Sequence, residues 1–149
     1  MIKCFRTNAG NANFQKLVSE LDSDLKIRDG EEHSFYSQFN KTDDIKYAIV
    51  AYENGAPAGC GALKEFSPDT MEIKRMYVRW NNRGHGIATF ILKELEDLAL
   101  ELGYEKCILE TGKKQPEAIN LYIKNGYSQI PNYGQYEDKE NSVCFEKFL

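Results

Sequence analysis

The chain has 149 residues, of which 42% are hydrophobic and 28% are charged, and its formal net charge is −4 at pH 7. This length and composition predict one soluble globular domain that buries a core without disulfides or a structural metal. The negative charge argues against nucleic acid as the main partner, because binding to phosphates requires a basic surface.

The amino-terminal segment predicts a strand and then a helix. Its first residues lack the apolar stretch of a signal peptide, and no apolar run in the chain is long enough to span a bilayer, so we expect a cytoplasmic protein that binds no membrane. Residues 2–7 (IKCFRT) have the composition of a short strand. Asn11 or Asn13 then caps a predicted helix whose apolar residues follow helical spacing: Phe14, Leu17, Val18, Leu21 and Leu25.

Residues 46–66 predict two strands joined by a tight turn. Asn54 and Gly55 lie between two apolar runs, which favours a type I′ hairpin turn. The turn SPDT then leads into a further long strand, MEIKRMYVRW. The four cysteines of the chain lie far apart and only two histidines accompany them. This spacing predicts buried thiols in a reducing compartment rather than a zinc site or a disulfide framework.

The stretch RWNNRGHGIATFIL places two glycines around a histidine, directly before a long helical pattern. The apolar stripe of that helix ends at Gly103 and consists of Ile87, Ile91, Leu95, Leu98 and Leu102. The Rossmann pattern fails here because Thr89 stands where a third glycine or alanine belongs, and no P-loop sequence occurs in the chain. Backbone N–H groups and the positive end of a helix dipole converge at this turn, so it can bind a pyrophosphate. A tight turn without a function is the alternative.

The remaining residues predict strand, helix and strand. KCILET is a buried strand, Pro116 opens a helix that Gly126 ends, and NSVCFEKFL is a final strand. Hairpins in the first half and alternating strands and helices in the second half predict a mixed α/β sheet, since a purely parallel sheet would lack the early hairpins.

Two motifs in the second half are similar to those of the GNAT acetyltransferase superfamily. Its signature [RQ]-x-x-G-x-[GA] is matched by Arg83, Gly86 and Ala88. About thirty residues further on, its element A-x-x-L-Y-x-K-x-G-[FY] is matched by Ala118, Leu121, Tyr122, Lys124, Gly126 and Tyr127. The resemblance runs from about Tyr47 to the end of the chain. It implies a single GNAT domain over residues 1–149, with about six to seven strands, four flanking helices, and a fourth and fifth strand that splay apart.

The resemblance implies transfer of an acetyl group from acetyl-CoA to the primary amine of a small molecule, without a metal. The pantetheine arm would pair with the backbone of Met76, Tyr77 and Val78. The pyrophosphate would lie on the backbone N–H groups of Gly84, His85, Gly86, Ile87, Ala88 and Thr89. Arg83, Gln115 and Lys124 complete the predicted cofactor contacts, although Gln115 replaces the asparagine of many members. The ring of His85 is expected to point to solvent.

Two side chains are predicted to carry the chemistry. By the resemblance, Tyr122 protonates the departing CoA thiolate, whereas its helical spacing also fits plain core packing. Glu72 lies on the fourth strand where some members carry a general base; the alternatives are a surface carboxylate, or one that only attracts a cationic substrate. The presence of both residues favours catalysis over a CoA-binding sensor that has lost turnover. Acetylation of a protein lysine or N-terminus is the second enzymatic alternative, and a homodimer stays open.

Further polar and aromatic residues allow two interpretations each. Lys74, Arg75 and Arg79 either form a solvated face or contact an acidic substrate or a CoA phosphate. Phe35, Tyr36 and Phe39 favour a short second helix before the hairpin. Of these, Phe35 and Tyr36 either line the acceptor pocket or form a small satellite core.

Overall fold

A seven-stranded mixed sheet organises the computed structural model, which describes residues 1–38, 41 and 45–149. The strands are β1 (Ile2–Thr7), β2 (Tyr47–Glu53), β3 (Ala56–Ser67), β4 (Thr70–Val78), β5 (Lys106–Gly112), β6 (Ser128–Ile130) and β7 (Ser142–Phe148). The helices are α1 (Ala12–Asp29), α2 (His33–Ser37), α3 (Ile87–Glu101) and α4 (Pro116–Lys124). The strand order is β1-β2-β3-β4-β5-β7-β6, and of these pairs only β4–β5 is parallel. The predicted mixed α/β fold is confirmed.

Local sequence signals account for the boundaries of the first elements. Asn11, not Asn13, caps α1, because its side chain accepts a hydrogen bond from the backbone N–H of Phe14 at 2.9 Å. Asn54 and Gly55 both have positive φ, 52° and 85°, as the predicted type I′ turn requires. The short second helix is present as α2, whereas Phe39 lies outside the described residues.

Two details differ from the sequence-based expectation. Strand β6 was not predicted, because three residues are too few to show the alternation that identifies a strand. Helix α3 ends at Glu101, so the last residue of the predicted stripe, Leu102, lies beyond the helix and is 39% exposed. Gly103 follows with a φ of 92°, the left-handed conformation that favours glycine after a helix.

Helices cover both faces of the sheet. On one face, α3 packs against strand residues such as Ile49 and Leu109. On the other face, α1 packs through Phe14 and Leu17 against Val50 and its neighbours. Strand β2 is therefore buried on both faces, which explains its continuous apolar sequence.

The predicted buried thiols agree with the structure. All four cysteines are free; Cys60, Cys107 and Cys144 are buried, and Cys4 is partly buried. Burial raises the pKa of Cys60 to about 12 and that of Cys4 to about 11, so these thiols stay protonated at neutral pH.

A cleft opens where β4 and β5 separate. The two strands pair only from Thr70 to Glu72 on the β4 side, whereas β3 continues to pair with β4 as far as Val78. Arg75 has a φ of 59° within β4, and the β3–β4 register shifts there. Such a bulge bends a strand, and the bend accompanies the separation. No helix in the described part of the chain combines the length and apolarity needed to cross a bilayer.

Candidate active site

Two cavities occupy the cleft between β4 and β5. The first, which we call the loop cavity, has a volume of about 300 Å³ and runs along the turn before α3. Most of the predicted cofactor contacts line it: Met76, Tyr77, Val78, Arg83, Gly84, Gly86, Ile87, Ala88, Thr89 and Gln115. The side chains of His85 and Lys124 are not among its lining residues.

Glycines give the turn before α3 its shape. Gly84 and Gly86 have φ values of 82° and 81°, and an added Cβ at either would meet no protein atom within 4 Å. Glycine is therefore favoured at these two positions by the left-handed backbone conformation, and not by close contact with a neighbouring atom. Gly86 is the N-cap of α3, has no capping side chain, and is followed by no acidic residue in the first turn. The first N–H groups of α3 consequently face open space, which suits an anion.

Arg83 fixes the end of β4 against the turn. Its Nε donates a hydrogen bond to the carbonyl oxygen of Val78 at 2.9 Å. Its guanidinium lies over the rings of Trp80 and Tyr77, at 5.1 Å and 6.0 Å from the centroids. These contacts hold the side chain beside the loop cavity, where its positive charge adds to that of the helix N-terminus.

Glu53 of β2 holds the loop from outside the cavity. Its Oε1 accepts a hydrogen bond from the Asn82 amide at 2.8 Å, and both of its oxygens lie 2.9 Å from Nδ1 of His85. The hydrogen bonds from Asn82 and His85 lower the pKa of Glu53. The His85 ring is 49% exposed, so it points only partly to solvent and also ties the loop to β2.

Two of the three predicted surface cations hold α1 on β4 instead. Arg79 forms two hydrogen bonds with the Glu20 carboxylate, at 3.0 and 2.8 Å. Arg75 is buried and forms an ion pair with Asp22. A solvated face is therefore wrong for Arg75, which is buried, and each of the two arginines has a carboxylate of α1 as its partner; contact with a substrate or a CoA phosphate stays a prediction.

The second cavity, which we call the carboxylate cavity, has a volume of about 100 Å³. It contains Glu72, which is 7% exposed. Oε2 of Glu72 accepts a hydrogen bond from the Tyr133 hydroxyl at 2.6 Å, and Nζ of Lys74 lies 3.6 Å from its Oε1. Glu72 is thus a buried, held carboxylate that faces the cavity, and Lys74 is its ion-pair partner.

Glu110 of β5 is a second carboxylate in the same cavity, and it was not among the predicted site residues. Its Oε2 accepts a hydrogen bond from the Ser142 hydroxyl at 2.7 Å. Because Ser142 has only one hydroxyl hydrogen, Tyr36 donates to Ser142 Oγ at 2.9 Å. Burial, with further contributions from the charges of Asp29 and Glu72, raises the pKa of Glu110 to about 7. The sequence signal that could have identified Glu110 is a carboxylate within the otherwise apolar strand KCILET.

Tyr122 of α4 lies where the two cavities meet. It lines both of them and is 5% exposed. Its ring packs against those of Tyr127 and Phe145, with centroids 5.7 and 6.2 Å apart. Burial and the charge of Glu110 raise the pKa of its hydroxyl, which therefore stays protonated and able to donate. Core packing and a position at the junction of the two cavities are both features of this one side chain.

The aromatic residues before the hairpin divide between the two predicted roles. Tyr36 lines the carboxylate cavity and also belongs to a small cluster with Tyr136 and Cys144. Phe35 packs against that cluster. Within residues 1–38, 41 and 45–149, no group of three or more His, Cys, Asp or Glu side chains is placed to hold a metal ion.

Comparisons with known proteins agree with this geometry. Residues 14–127 match the model of the acetyltransferase (GNAT) family. An IAA acetyltransferase of Azospirillum brasilense is 33% identical over 138 residues, which span 90% of this chain and 89% of that protein.

Solved structures of the same fold cover the whole chain. A Klebsiella pneumoniae protein proposed to be an acyl-CoA N-acyltransferase superposes with a TM-score of 0.84 and 26% identity, over 100% of this chain and 98% of that one. The PaiA N-acetyltransferase of Thermoplasma acidophilum, solved in complex with coenzyme A, superposes with a TM-score of 0.73 and 18% identity, over 100% and 99% of the two chains. These matches show that the fold is that of acyl-CoA N-acyltransferases.

Proposed function

Because the chain belongs to the acetyltransferase (GNAT) family, we propose that it transfers the acetyl group of acetyl-CoA to the primary amine of a small molecule. The observation that carries this proposal is the meeting of the two cavities at Tyr122. A donor in the loop cavity and an acceptor in the carboxylate cavity would approach each other at this hydroxyl.

The loop cavity has the features that acetyl-CoA requires. The pyrophosphate would accept hydrogen bonds from the N–H groups that follow Gly84 and Gly86, where backbone and helix dipole supply positive charge. The pantetheine arm would lie along residues 76–78, because β4 has lost its β5 partner after Glu72. The thioester would then reach Tyr122 at the end of this cavity.

The carboxylate cavity has the features that an amine acceptor requires. An alkylammonium with a pKa near 10.4 is almost wholly protonated at pH 7, so it must lose a proton on the enzyme. Glu110 is suited to accept that proton, because a pKa of about 7 leaves it ionised in part and basic enough near neutrality. Glu72, held by Tyr133 and Lys74, is suited to bind the ammonium. The role of Glu72 as the base stays a prediction; the raised pKa favours Glu110.

The proposed step is balanced in atoms and protons. Glu110 first accepts a proton from the ammonium and releases it to solvent. The neutral amine nitrogen then forms a bond to the acetyl carbon while Glu110 receives a second proton from that nitrogen. The C–S bond breaks, and the thiolate takes the hydroxyl proton of Tyr122. The proton on Glu110 restores the Tyr122 hydroxyl through solvent, and the products are an acetamide and coenzyme A.

A screen for thiol release from acetyl-CoA tests the proposal. The acceptors are alkylamines, amino acids, and peptides with a free N-terminus or a lysine, and a reaction without the protein reports the uncatalysed background. Turnover of a small amine above that background supports the proposal. Turnover of peptides alone would indicate a protein acetyltransferase. Binding of coenzyme A without turnover of any acceptor would indicate a sensor. The free cysteines fit the cytoplasmic location that we also propose.

A further inference from the structure

We propose that the acceptor is a compact diamine, whose second ammonium group is bound by Asp29 while its reacting amine lies at Glu72 and Glu110. The inference rests on the proposed function and adds the class of amine. It assigns Asp29 a role in selecting the substrate and not in the chemistry.

Asp29 is a buried carboxylate whose side chain accepts no hydrogen bond from the described residues. It is the last residue of α1, its side chain is 10% exposed, and it lines the carboxylate cavity. The basic side chain beside it is His33, whose Nδ1 lies 4.0 Å from Asp29 Oδ2, too far for a hydrogen bond. That Nδ1 atom is itself buried and has no hydrogen-bond partner among the described residues. The Asp29 carboxylate therefore has acceptor positions open to a ligand in the cavity.

The charges around the cavity give a surplus of carboxylates. The two cations that line it each have an ion-pair partner, Lys74 with Glu72 and Arg75 with Asp22, although the buried Nε of Arg75 has no hydrogen-bond partner among the described residues. Asp29 and Glu110 have no lysine or arginine within ion-pair distance in the described part of the chain. Burial raises the pKa of both carboxyls, and the charges of Asp29 and Glu72 add to the rise at Glu110. The ligand that complements two such carboxylates carries positive charge at two points.

Amines of other classes do not complement the carboxylates of both Asp29 and Glu110. A monoamine at Glu110 leaves Asp29 unsatisfied. An amino acid adds a negative charge beside Asp29 and Glu110, although the unpartnered Nε of Arg75 is a donor for its carboxylate, so the test includes amino acids. The volume of about 100 Å³ favours a short carbon chain between the two ammonium groups.

Steady-state kinetics with matched acceptors tests the inference. We would compare 1,3-diaminopropane, putrescine and cadaverine with propylamine, butylamine and pentylamine, and with glycine and β-alanine. The best diamine is expected to exceed its matched monoamine in kcat/KM by about ten- to a hundredfold, as one hydrogen-bonded charge contact provides. In Asp29→Asn this ratio should fall towards one, mainly through a higher KM for the diamine. Glu31→Gln removes the same charge from an exposed neighbour and should keep the ratio.

The outcomes separate this inference from the proposed function. Equal turnover of monoamines and diamines, or a ratio that survives Asp29→Asn in a folded protein, overturns the role of Asp29 and leaves the acetyltransferase assignment intact. A preference for the amino acids likewise overturns the diamine. Absence of turnover with every amine, while coenzyme A binds, overturns the proposed function and the inference together.

Discussion

The loop cavity and the carboxylate cavity are built in opposite ways. At one end the first has the backbone N–H groups of one continuous stretch, residues 84–89, while residues of α1, β4 and α4 line the rest. The second is made by side chains from α1, β4 and β5, and its carboxylates are largely buried. A backbone site depends on few side chains and serves a constant ligand, whereas a side-chain site changes its ligand with single substitutions. Under the proposed function, backbone groups would bind the donor and a few side chains would select the acceptor.

Tyr122 belongs to both cavities, and removing its hydroxyl is the change with the largest expected effect. Tyr122→Phe keeps the ring packing against Tyr127 and Phe145 and deletes the proton donor. We expect kcat to fall by about 10²–10⁴-fold while the affinity for acetyl-CoA changes little. Stopped assays of thiol release and calorimetric titration with coenzyme A give the two quantities.

Tyr127→Phe is the matched control for this substitution. Tyr127 is also buried, and its hydroxyl donates to Glu96 at 2.9 Å, away from both cavities. It should lower stability more than kcat. A Tyr122→Phe enzyme that turns over at the wild-type rate would reduce Tyr122 to a packing residue.

Glu110→Gln tests whether the carboxylate cavity supplies the base. Glutamine keeps the shape but cannot accept the proton, so kcat/KM at pH 7 should fall by about 10²-fold or more. The wild-type kcat/KM should rise through about pH 7 as Glu110 ionises, and the loss in the variant should shrink at higher pH as free amine becomes available. Glu72→Gln should raise KM more than it lowers kcat. Both constants would be measured from pH 6 to 10. A larger fall in kcat for Glu72→Gln than for Glu110→Gln would indicate that Glu72 is the base.

The same Glu110→Gln substitution should stabilise the fold at high pH. The pKa of Glu110 is raised from 4.5 to about 7 on folding, so the unfolded chain loses this proton first and the unfolding free energy falls as pH rises across that interval. The variant lacks this loss and should be more stable at pH 8 by at most about 3 kcal/mol, with no gain at pH 4. Urea unfolding at several pH values measures the difference, with Glu105→Gln as an exposed control. An equal gain at pH 4 would show that ionisation of Glu110 is not the cause.

Gly86→Val tests the loop cavity alone. A side chain in the left-handed conformation costs about 1–2 kcal/mol, which favours loop conformations that no longer present their N–H groups together. We expect the Kd for coenzyme A to rise by about ten- to a hundredfold in a protein that still folds. Gly103→Val introduces the same side chain at a φ of 92° beyond α3. It should lower the stability of the fold without weakening the binding of coenzyme A. Equal Kd values for the two variants would show that the loop does not contribute to the binding of coenzyme A.

The two cavities also differ in how far the sequence predicts them. The loop cavity could be predicted, because Arg83, Gly86 and Ala88 are close in sequence and their spacing follows from a single turn. The carboxylate cavity could not, because Asp29 and Glu110 become neighbours only after α1 packs against the sheet. Glu72 was predicted only through the resemblance.

Individual contacts were missed for the same reason. The sequence pattern of Arg75 and Arg79 is that of a solvated face, but α1 brings Asp22 and Glu20 to them. Strand periodicity contains no information on which charged side chain meets which partner across the sheet. Elements with their own local signal, such as the Asn54 turn, were predicted to the residue.

Glu53→Gln has the smallest expected effect and asks whether the loop cavity needs side chains at all. The Glu53 carboxylate accepts hydrogen bonds from Asn82 and His85, which stand on either side of Arg83. Glutamine keeps one acceptor oxygen but carries no charge, so both hydrogen bonds lose their charge-assisted strength and the loop should lose part of its preorganisation. Because the pair is exposed, we expect the Kd for coenzyme A to rise by only about two- to fivefold, and by less at high salt.

The pH dependence identifies the cause of that change. The pKa of Glu53 lies below its usual value of 4.5, so the carboxylate is ionised at neutral pH and the wild type should keep its advantage over Glu53→Gln there. The advantage should disappear only as the pH falls through that lowered pKa. A double-mutant cycle with His85→Ala, titrated with coenzyme A at low and high salt, measures how much of the effect passes through the imidazole, and Glu105→Gln reports the change in net charge alone. If Glu53→Gln and Glu105→Gln bind coenzyme A equally, the backbone of residues 84–89 forms the loop cavity unaided, and the contrast between a backbone site for the donor and a side-chain site for the acceptor becomes sharper.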